Sequence, residues 1–412
     1  MKHIIDLHAH SRYSRACSQN LILPNIAQVC QKKGISIVTT SDITHPRWFN
    51  HCQEELEESE GGLYVLKNGR KDVKFICGSE VACIYKQGEK VRRLHLLMLF
   101  PSFIEVELFQ KKLQERGCNI TSDGRPILGI SGIELLKMVK DISSNIEIIP
   151  AHAWTPWFSV FGSKSGFDSL QDCFGEMTPY VKAIETGLSS DPVMNSGLSL
   201  LDNISLISNS DAHGLENFGR EANVLQLEDS SYGSVIDVIY SNDPKKFLHT
   251  IEFYPEEGKY HLDGHAPCKV HMMPEETKKN RGRCPVCDKL VTVGVLSRVQ
   301  ELSDRKAKQR KIPHRYIVPL KEVIGDSLGV GKASKKVGTV YEKMINELGN
   351  EFHILLDEDI TNIKIVSSPR IAEGIKRMRE GNMIIDGGYD GIYGTVKIFK
   401  DKEKKSPQQT LL

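Results

Sequence analysis

The sequence predicts an α/β protein: a distorted seven-stranded (β/α) barrel, followed by a small cysteine-bearing module and a C-terminal α+β domain. Three observations carry that expectation. Short apolar runs alternate with amphipathic stretches through the first 250 residues. Histidines and carboxylates recur at the ends of those runs. Cys268, Cys284 and Cys287 then gather in a metal-like spacing. Alternating strand and helix patterns imply a parallel sheet covered by helices.

The strand patterns fall at 3–8 (HIIDLH), 35–41 (ISIVTTS), 73–82 (VKFICGSEVA), 92–100 (RRLHLLMLF), 146–150 (IEIIP), 181–185 (VKAIE) and 204–208 (ISLIS). Each is a short, largely apolar run, and most carry β-branched or aromatic residues. Helical spacing fills the gaps near 24–33, 102–116, 131–142, 193–201 and 233–249. The pattern breaks at 250–260 (TIEFYPEEGKY), so the first domain is 1–250. Residues 258–300 form the cysteine module. Residues 301–311 (ELSDRKAKQRK) read as a charged helix or connector opening a domain over 301–400, with helices at 340–348 and 370–380 and a closing hairpin. The charged, then polar tail 401–412 reads as disordered. There is no internal repeat.

Composition narrows the class. The 412 residues are 40% hydrophobic and 26% charged, which suits a globular chain with a sizeable core. No apolar run approaches the ~20 residues of a membrane span, and MKHIIDLHAH meets Asp6 and His8 before a signal-peptide core could form. A cytoplasmic protein without a membrane partner is the expectation. The ten cysteines are then reduced thiols plus one zinc site. A net charge of +1 conceals a split: residues 269–340 hold 17 Lys/Arg against 7 Asp/Glu. A basic segment on an acidic body suits a polyanion, although a solvated face has the same composition.

Nine metal-ligand types converge from the strand ends: His8, His10, Asp42, His45, Glu80, His95, His152, Asp211 and His213. In a parallel barrel the C-terminal strand ends share one face, where active sites collect. Imidazole suits zinc, manganese and iron, whereas a carboxylate can bridge two ions, so Glu80 and Asp211 are the bridging candidates. Such ions hold a phosphate ester, activate water and stabilise a leaving oxygen. Glu80, Asp211, His8 and His10 are expected at the centre of the catalysis. His95 lies within an apolar run, where a core histidine is the alternative, and either Asp42 or His45 could serve the second position.

Cys284-Pro-Val-Cys287 has the C-x-x-C form of a zinc knuckle, and His265-Ala-Pro-Cys268 precedes it with matching spacing. The expected structural zinc ligands are His265, Cys268, Cys284 and Cys287, with His261 or His271 as alternatives to His265. A closed four-ligand site replaces a core that so short a segment cannot build.

Several groups are candidates for DNA contact. Lys278, Lys279, Arg281 and Arg283 lie in the basic segment and can neutralise phosphates. Leu328-Gly329-Val330-Gly331-Lys332, followed by Lys335 and Lys336, fails the phosphate-loop pattern because Ala333 stands where Ser or Thr is needed. It partly resembles a helix-hairpin-helix backbone clamp, and a plain interhelical turn is equally compatible. Trp154 and Trp157 follow His152 and could stack on an unpaired base or form an apolar lid. Asp390-Gly391 signals a hairpin turn, whose flanking Tyr389 and Tyr393 could hold a flipped base. Arg12, Arg15 and Arg220 flank the ligand motifs and could clamp phosphate.

DLHAH (6–10), SDITH (41–45), GSEV (78–81), LHLL (94–97), PAHAW (150–154) and SNSDAHG (208–214) resemble the motifs of PHP-domain metallophosphoesterases. That resemblance implies the seven-stranded barrel and a trinuclear metal centre on the histidines and carboxylates above. SRYSRACS (11–18), SDITHPRW (41–48), PAHAWTPWFSVFGSKSGF (150–167) and SDAHGLENFGREAN (210–223), followed by a zinc module, are similar to one branch, the endonuclease Q family. This implies a DNA repair endonuclease using two or three ions (Zn, Mn, Mg or Fe). It would hydrolyse the phosphodiester 5′ to uracil, hypoxanthine, xanthine or an abasic site, with a polymerase clamp left open as a further partner. The rivals are a histidinol-phosphate-like phosphatase, which needs neither zinc module nor basic segment, and a non-catalytic DNA-binding protein, which needs no full ligand set.

Overall fold

The computed structural model describes residues 1–400; the tail 401–412, expected to be disordered, lies outside the described residues. Seventeen strands occur in it. The first twelve are β1 (Lys2–Asp6), β2 (Ile37–Thr39), β3 (Leu56–Glu60), β4 (Leu63–Leu66), β5 (Lys74–Gln87), β6 (Lys90–Phe100), β7 (Ile127–Leu128), β8 (Glu147–Pro150), β9 (Ala183–Glu185), β10 (Ser205–Ile207), β11 (Ala222–Gln226) and β12 (Phe247–Glu252). β13 (Asp263–His265) and β14 (Val270–Met272) form a hairpin in the cysteine segment. β15 (His314–Tyr316), β16 (Ile384–Asp386) and β17 (Thr395–Lys397) follow.

The sheet is mixed, not the parallel sheet that the alternation predicted. β1–β2 and β2–β5 are parallel, and β9–β10 form a separate parallel two-stranded sheet. β5–β6, β6–β8, β1–β11 and β11–β12 are antiparallel. The cause is local. Only Gly88 and Glu89 separate β5 from β6, and so short a link can join only antiparallel neighbours. Gly88 takes φ +59°, as a tight hairpin requires. The helix expected over 233–249 also stops early. It spans Tyr232–Ser241, and β12 begins six residues later. Asn242 ends it with φ 49°, in the left-handed conformation common at helix ends.

Strand alternation sends one side-chain set inward. Ile5, Ile37, Ile76, Leu97, Ile149, Ala183, Ile207 and Leu225, one from each of eight strands, share a single buried cluster. Val235, Val238 and Ile239 of the helix Tyr232–Ser241 join them. Burial of such side chains stabilises by ~1.5–3 kcal/mol each. A larger apolar cluster joins the outer sheet face to the surrounding helices. No helix among the described residues is long and apolar enough to cross a membrane.

The chain returns to the large sheet after the cysteine segment, where β15 pairs in parallel with β12. Helices Leu320–Leu328, Lys335–Leu348, Glu351–Leu356, Ile360–Val366 and Pro369–Arg379 complete the C-terminal part. Asp390 and Gly391 both have positive φ (44° and 90°) and form the turn that the dipeptide signals. The Asp390 carboxylate also accepts the N–H of Ala266 at 2.6 Å and the Thr292 hydroxyl at 2.6 Å. That turn is thereby tied to the cysteine segment.

Candidate metal centre and nucleic-acid interface

Strand ends bring the ligand types together. His8 and His10 follow β1, His152 follows β8 and Asp211 follows β10. Glu80 and His95 lie on the paired strands β5 and β6. Donor atoms of His8, His10 and Asp211 lie within 4.8 Å of one another, as do those of Glu80, His95 and His152. Glu80 joins the two groups. Its Oε1 is 2.8 Å from His95 Nδ1 and 3.2 Å from His152 Nε2, while its Oε2 is 3.4 Å from His10 Nε2. Asp211 Oδ1 lies 3.1 Å from His10 Nε2 and 3.6 Å from His8 Nε2.

The backbone is strained to achieve this. Asp42, His152 and Asp211 have φ of 42°, 29° and 46°, a region in which non-glycine residues cost on the order of 1 kcal/mol or more. Neighbours hold them there. Arg220 donates to the carbonyls of Ser210 (2.8 Å) and Asp211 (3.3 Å). The His152 N–H donates to Glu185 at 2.8 Å. Asp42 accepts from the Ser11 N–H (2.6 Å) and Ser14 hydroxyl (2.9 Å), and faces His10 Nδ1 at 3.1 Å.

Electrostatics follow from this crowding. Burial resists charge on Glu80, yet His95, His8 and Arg125 hold its carboxyl well below the usual range. Burial likewise opposes a charged His10, but Asp42 and Asp211 raise it to about 9. Burial lowers His95 to about 4. The donor set is compatible with divalent ions: buried carboxylates need positive charge, and imidazole nitrogens with carboxylate oxygens are suitable ligands. His8 Nε2 is buried without a hydrogen-bond partner, between Glu80 and Asp211.

The other expected ligands lie around this core. His213 packs against His10 with the rings tilted and their centroids 4.4 Å apart, and its Nδ1 is 3.6 Å from Asp211 Oδ1. His45 faces elsewhere: its Nε2 bonds the Thr121 carbonyl at 3.0 Å and its ring lies on Tyr13. Asp42 therefore stands closer than His45 to the cluster, through His10.

Sequence reasoning missed Glu185, Asn209 and Arg125. Glu185 bonds His8 Nδ1 at 3.0 Å, and Asn209 donates to it at 2.9 Å. Its signal was available, since it ends a strand as the ligand candidates do. Arg125 donates to Glu80 at 2.9 Å from a loop, and nothing in its local pattern marks it.

In the cysteine segment, donor atoms of His265, Cys268, Cys284 and Cys287 lie within 4.8 Å of one another. His271 instead packs against the Tyr389 ring, and His261 is buried beside Gly387.

The expected DNA contacts divide by exposure. Lys278, Lys279, Arg281, Arg283, Lys332, Lys335 and Lys336 are exposed. Arg283 bonds Asp288, and Lys332 pairs with Glu322 at 2.7 Å. Lys335 and Lys336 begin the helix Lys335–Leu348, after the turn that contains Gly329. Arg12 sits over the Tyr13 ring, and Arg15 pairs with Asp123. Trp157 is exposed, whereas Trp154 is fully buried and donates to Asn195 at 2.8 Å. Tyr393 is exposed beneath Lys259, while Tyr389 is half-buried.

Comparison with known proteins agrees with this architecture. The structure of the lesion-specific endonuclease PfuEndoQ from Pyrococcus furiosus matches with a TM-score of 0.86 and 30% identity, over 100% of this chain and 98% of that one. An endonuclease Q complex with a 27-mer duplex carrying an abasic lesion at its active site matches at 0.86 and 31%, over 100% of both chains. The chain belongs to the endonuclease Q family. The family model for the MJ0043 C-terminal domain matches residues 319–382, within the helical part that follows β15. Protein MJ0043 of Methanocaldococcus jannaschii is 32% identical over 275 residues, 64% of this chain. The chain spans only 34% of that relative's length, unlike its full-length match to the endonuclease Q structures.

Proposed function

We propose that this protein is a metal-dependent DNA repair endonuclease that hydrolyses the phosphodiester 5′ to an abasic site or a deaminated base, namely uracil, hypoxanthine or xanthine. The observation that carries the reading is the junction of two ligand groups at Glu80, in a chain that matches lesion-specific endonucleases end to end. Divalent ions at such a site polarise a phosphodiester and promote ionisation of water. His8, His10, Asp211, Glu80, His95 and His152 would hold them, with Asp42 and Glu185 orienting the imidazoles. Arg125, half-exposed beside Glu80, is placed to receive a phosphate oxygen. His265, Cys268, Cys284 and Cys287 would hold a structural zinc, since four closed thiolate and imidazole donors leave no position for substrate.

The test uses an end-labelled duplex bearing one abasic site, deoxyuridine or deoxyinosine, beside an undamaged control, with Mg²⁺ or Mn²⁺. One nick 5′ to the lesion, absent from the control and from Asp211→Ala, is expected. No nick by fully metallated protein overturns the reading.

A further inference from the structure

A groove of about 1010 Å³ opens beside the metal centre. Its walls are the β5–β6 hairpin tip, the stretch 162–168 and the helix Val295–Leu302. Five Lys/Arg line it (Lys90, Arg92, Arg93, Lys164 and Arg298) against three carboxylates. Asp168 and Glu301 are both engaged by Arg298, at 2.5 and 2.9 Å. Among the described residues no ion pair involves Lys90, Arg93 or Lys164, and all three are exposed.

The walls are fixed before any ligand arrives. Arg92 donates to the Gly166 carbonyl and lies 4.0 Å above the Phe167 ring. Arg298 also donates to the carbonyls of Phe161 (3.1 Å) and Phe167 (3.2 Å). Ser165 joins its hydroxyl to the Arg93 carbonyl at 3.3 Å. Exposed Trp157 stands at the lip, edge-on to Tyr260.

The groove approaches the reaction site along β6. Arg93 lies two residues before His95 on β6, so both side chains leave the same face, ~6.6 Å apart along the strand. Phe158 bridges them, with its ring 4.6 Å from His95 and 5.7 Å from the Arg93 guanidinium. Lys90, at the start of β6, and Lys164 line the same groove further from His95. A polyanion leaving the metal centre past Arg93 meets these cations in the groove.

We infer that this groove binds the sugar-phosphate backbone of the DNA on one side of the scissile bond, with Arg93, Lys90 and Lys164 on successive phosphates. The inference rests on the endonuclease reading, yet it can fail separately. The test compares wild type with a Lys90→Gln/Arg93→Gln/Lys164→Gln variant on duplexes with one abasic site. Cleavage gives KM against NaCl, and anisotropy of a labelled duplex gives Kd. The variant should raise KM and Kd at least tenfold. The slope of log affinity against log salt should become shallower by about 2–3, since each lost phosphate contact removes about 0.9. Shortening the duplex on one side of the lesion should weaken wild type but not the variant; shortening the other side should weaken both. Unchanged affinity and slope overturn the inference. So does an equal loss from Lys111→Gln/Lys112→Gln/Lys245→Gln, exposed lysines outside the groove. Failure of wild type to cut any lesion would sink the endonuclease reading, while the anisotropy comparison would still decide whether the groove binds DNA.

Discussion

Glu185 holds His8 from behind: its Oε2 lies 3.0 Å from His8 Nδ1, and both side chains are fully buried. Nδ1–H then donates, which leaves the lone pair of Nε2 facing Glu80 and Asp211. One carboxylate thus selects the tautomer in which His8 can act as a ligand. It also receives the N–H of His152, so two candidate ligand positions depend on it.

Glu185→Gln should therefore lower metal affinity about 10–100-fold without removing any ligand. Calorimetric titration of metal-stripped protein with Mn²⁺ reads this directly. Affinity equal to wild type would show that His8 needs no such partner.

Cys284 is buried in the cysteine segment, and its sulfur belongs to the four-donor group. Cys284→Ser should remove one zinc equivalent per chain and loosen residues 258–300, because metal affinity and local folding are coupled there. Elemental analysis with hydrogen exchange over that segment tests both. Full zinc retention would contradict the assignment.

Lys33, the last residue of the helix Leu23–Lys33, pairs at 3.3 Å with Glu351 in the C-terminal part, and both are nearly buried. Glu351 also accepts from the Tyr341 hydroxyl at 2.9 Å and the Leu320 N–H at 3.0 Å. Removing one partner of such a pair strands a buried charge. Glu351→Ala should cost about 3–5 kcal/mol in urea unfolding. Lys33→Met/Glu351→Gln should recover much of that loss, because no charge is then left alone.

Glu252 is fully buried, and burial, reinforced by Asp191, pushes its carboxyl up to about 8. An acid whose folded pKa exceeds its unfolded value, here 4.5, stabilises the fold most below pH 4.5. That contribution is lost as pH rises toward 8. Glu252→Gln should thus match wild type near pH 4.5 and become more stable above it, on the order of a few kcal/mol by pH 8. A stability difference that does not vary with pH across that range would refute this.

The parts legible in the sequence were those with short-range signatures. The runs HIIDLH and RRLHLLMLF mark their strands because short apolar runs are themselves a local strand signal. The spacing of His265, Cys268, Cys284 and Cys287 is itself a local pattern. Strand direction was not legible at β5–β6, because the preference for parallel alternation is global whereas Gly88–Glu89 decides locally. Nor was the left-handed backbone at Asp42, His152 and Asp211, since glycine, the usual marker of that conformation, is absent from all three. Arg125 illustrates the remaining gap. It reaches Glu80 across 45 residues of sequence, a relation that only tertiary packing creates.

The pairing of β15 with β12 has a consequence for solubility. β12, FLHTIE, lies at one margin of the large sheet, and β15 occupies its outer row of backbone donors and acceptors. A chain cut before His314 would expose that row as a template for another copy of itself. The short His-Arg-Tyr segment thus acts as a guard against aggregation, supplied by chain that returns only after the cysteine segment. Fragments of this protein designed around the metal centre alone need an alternative cover for β12.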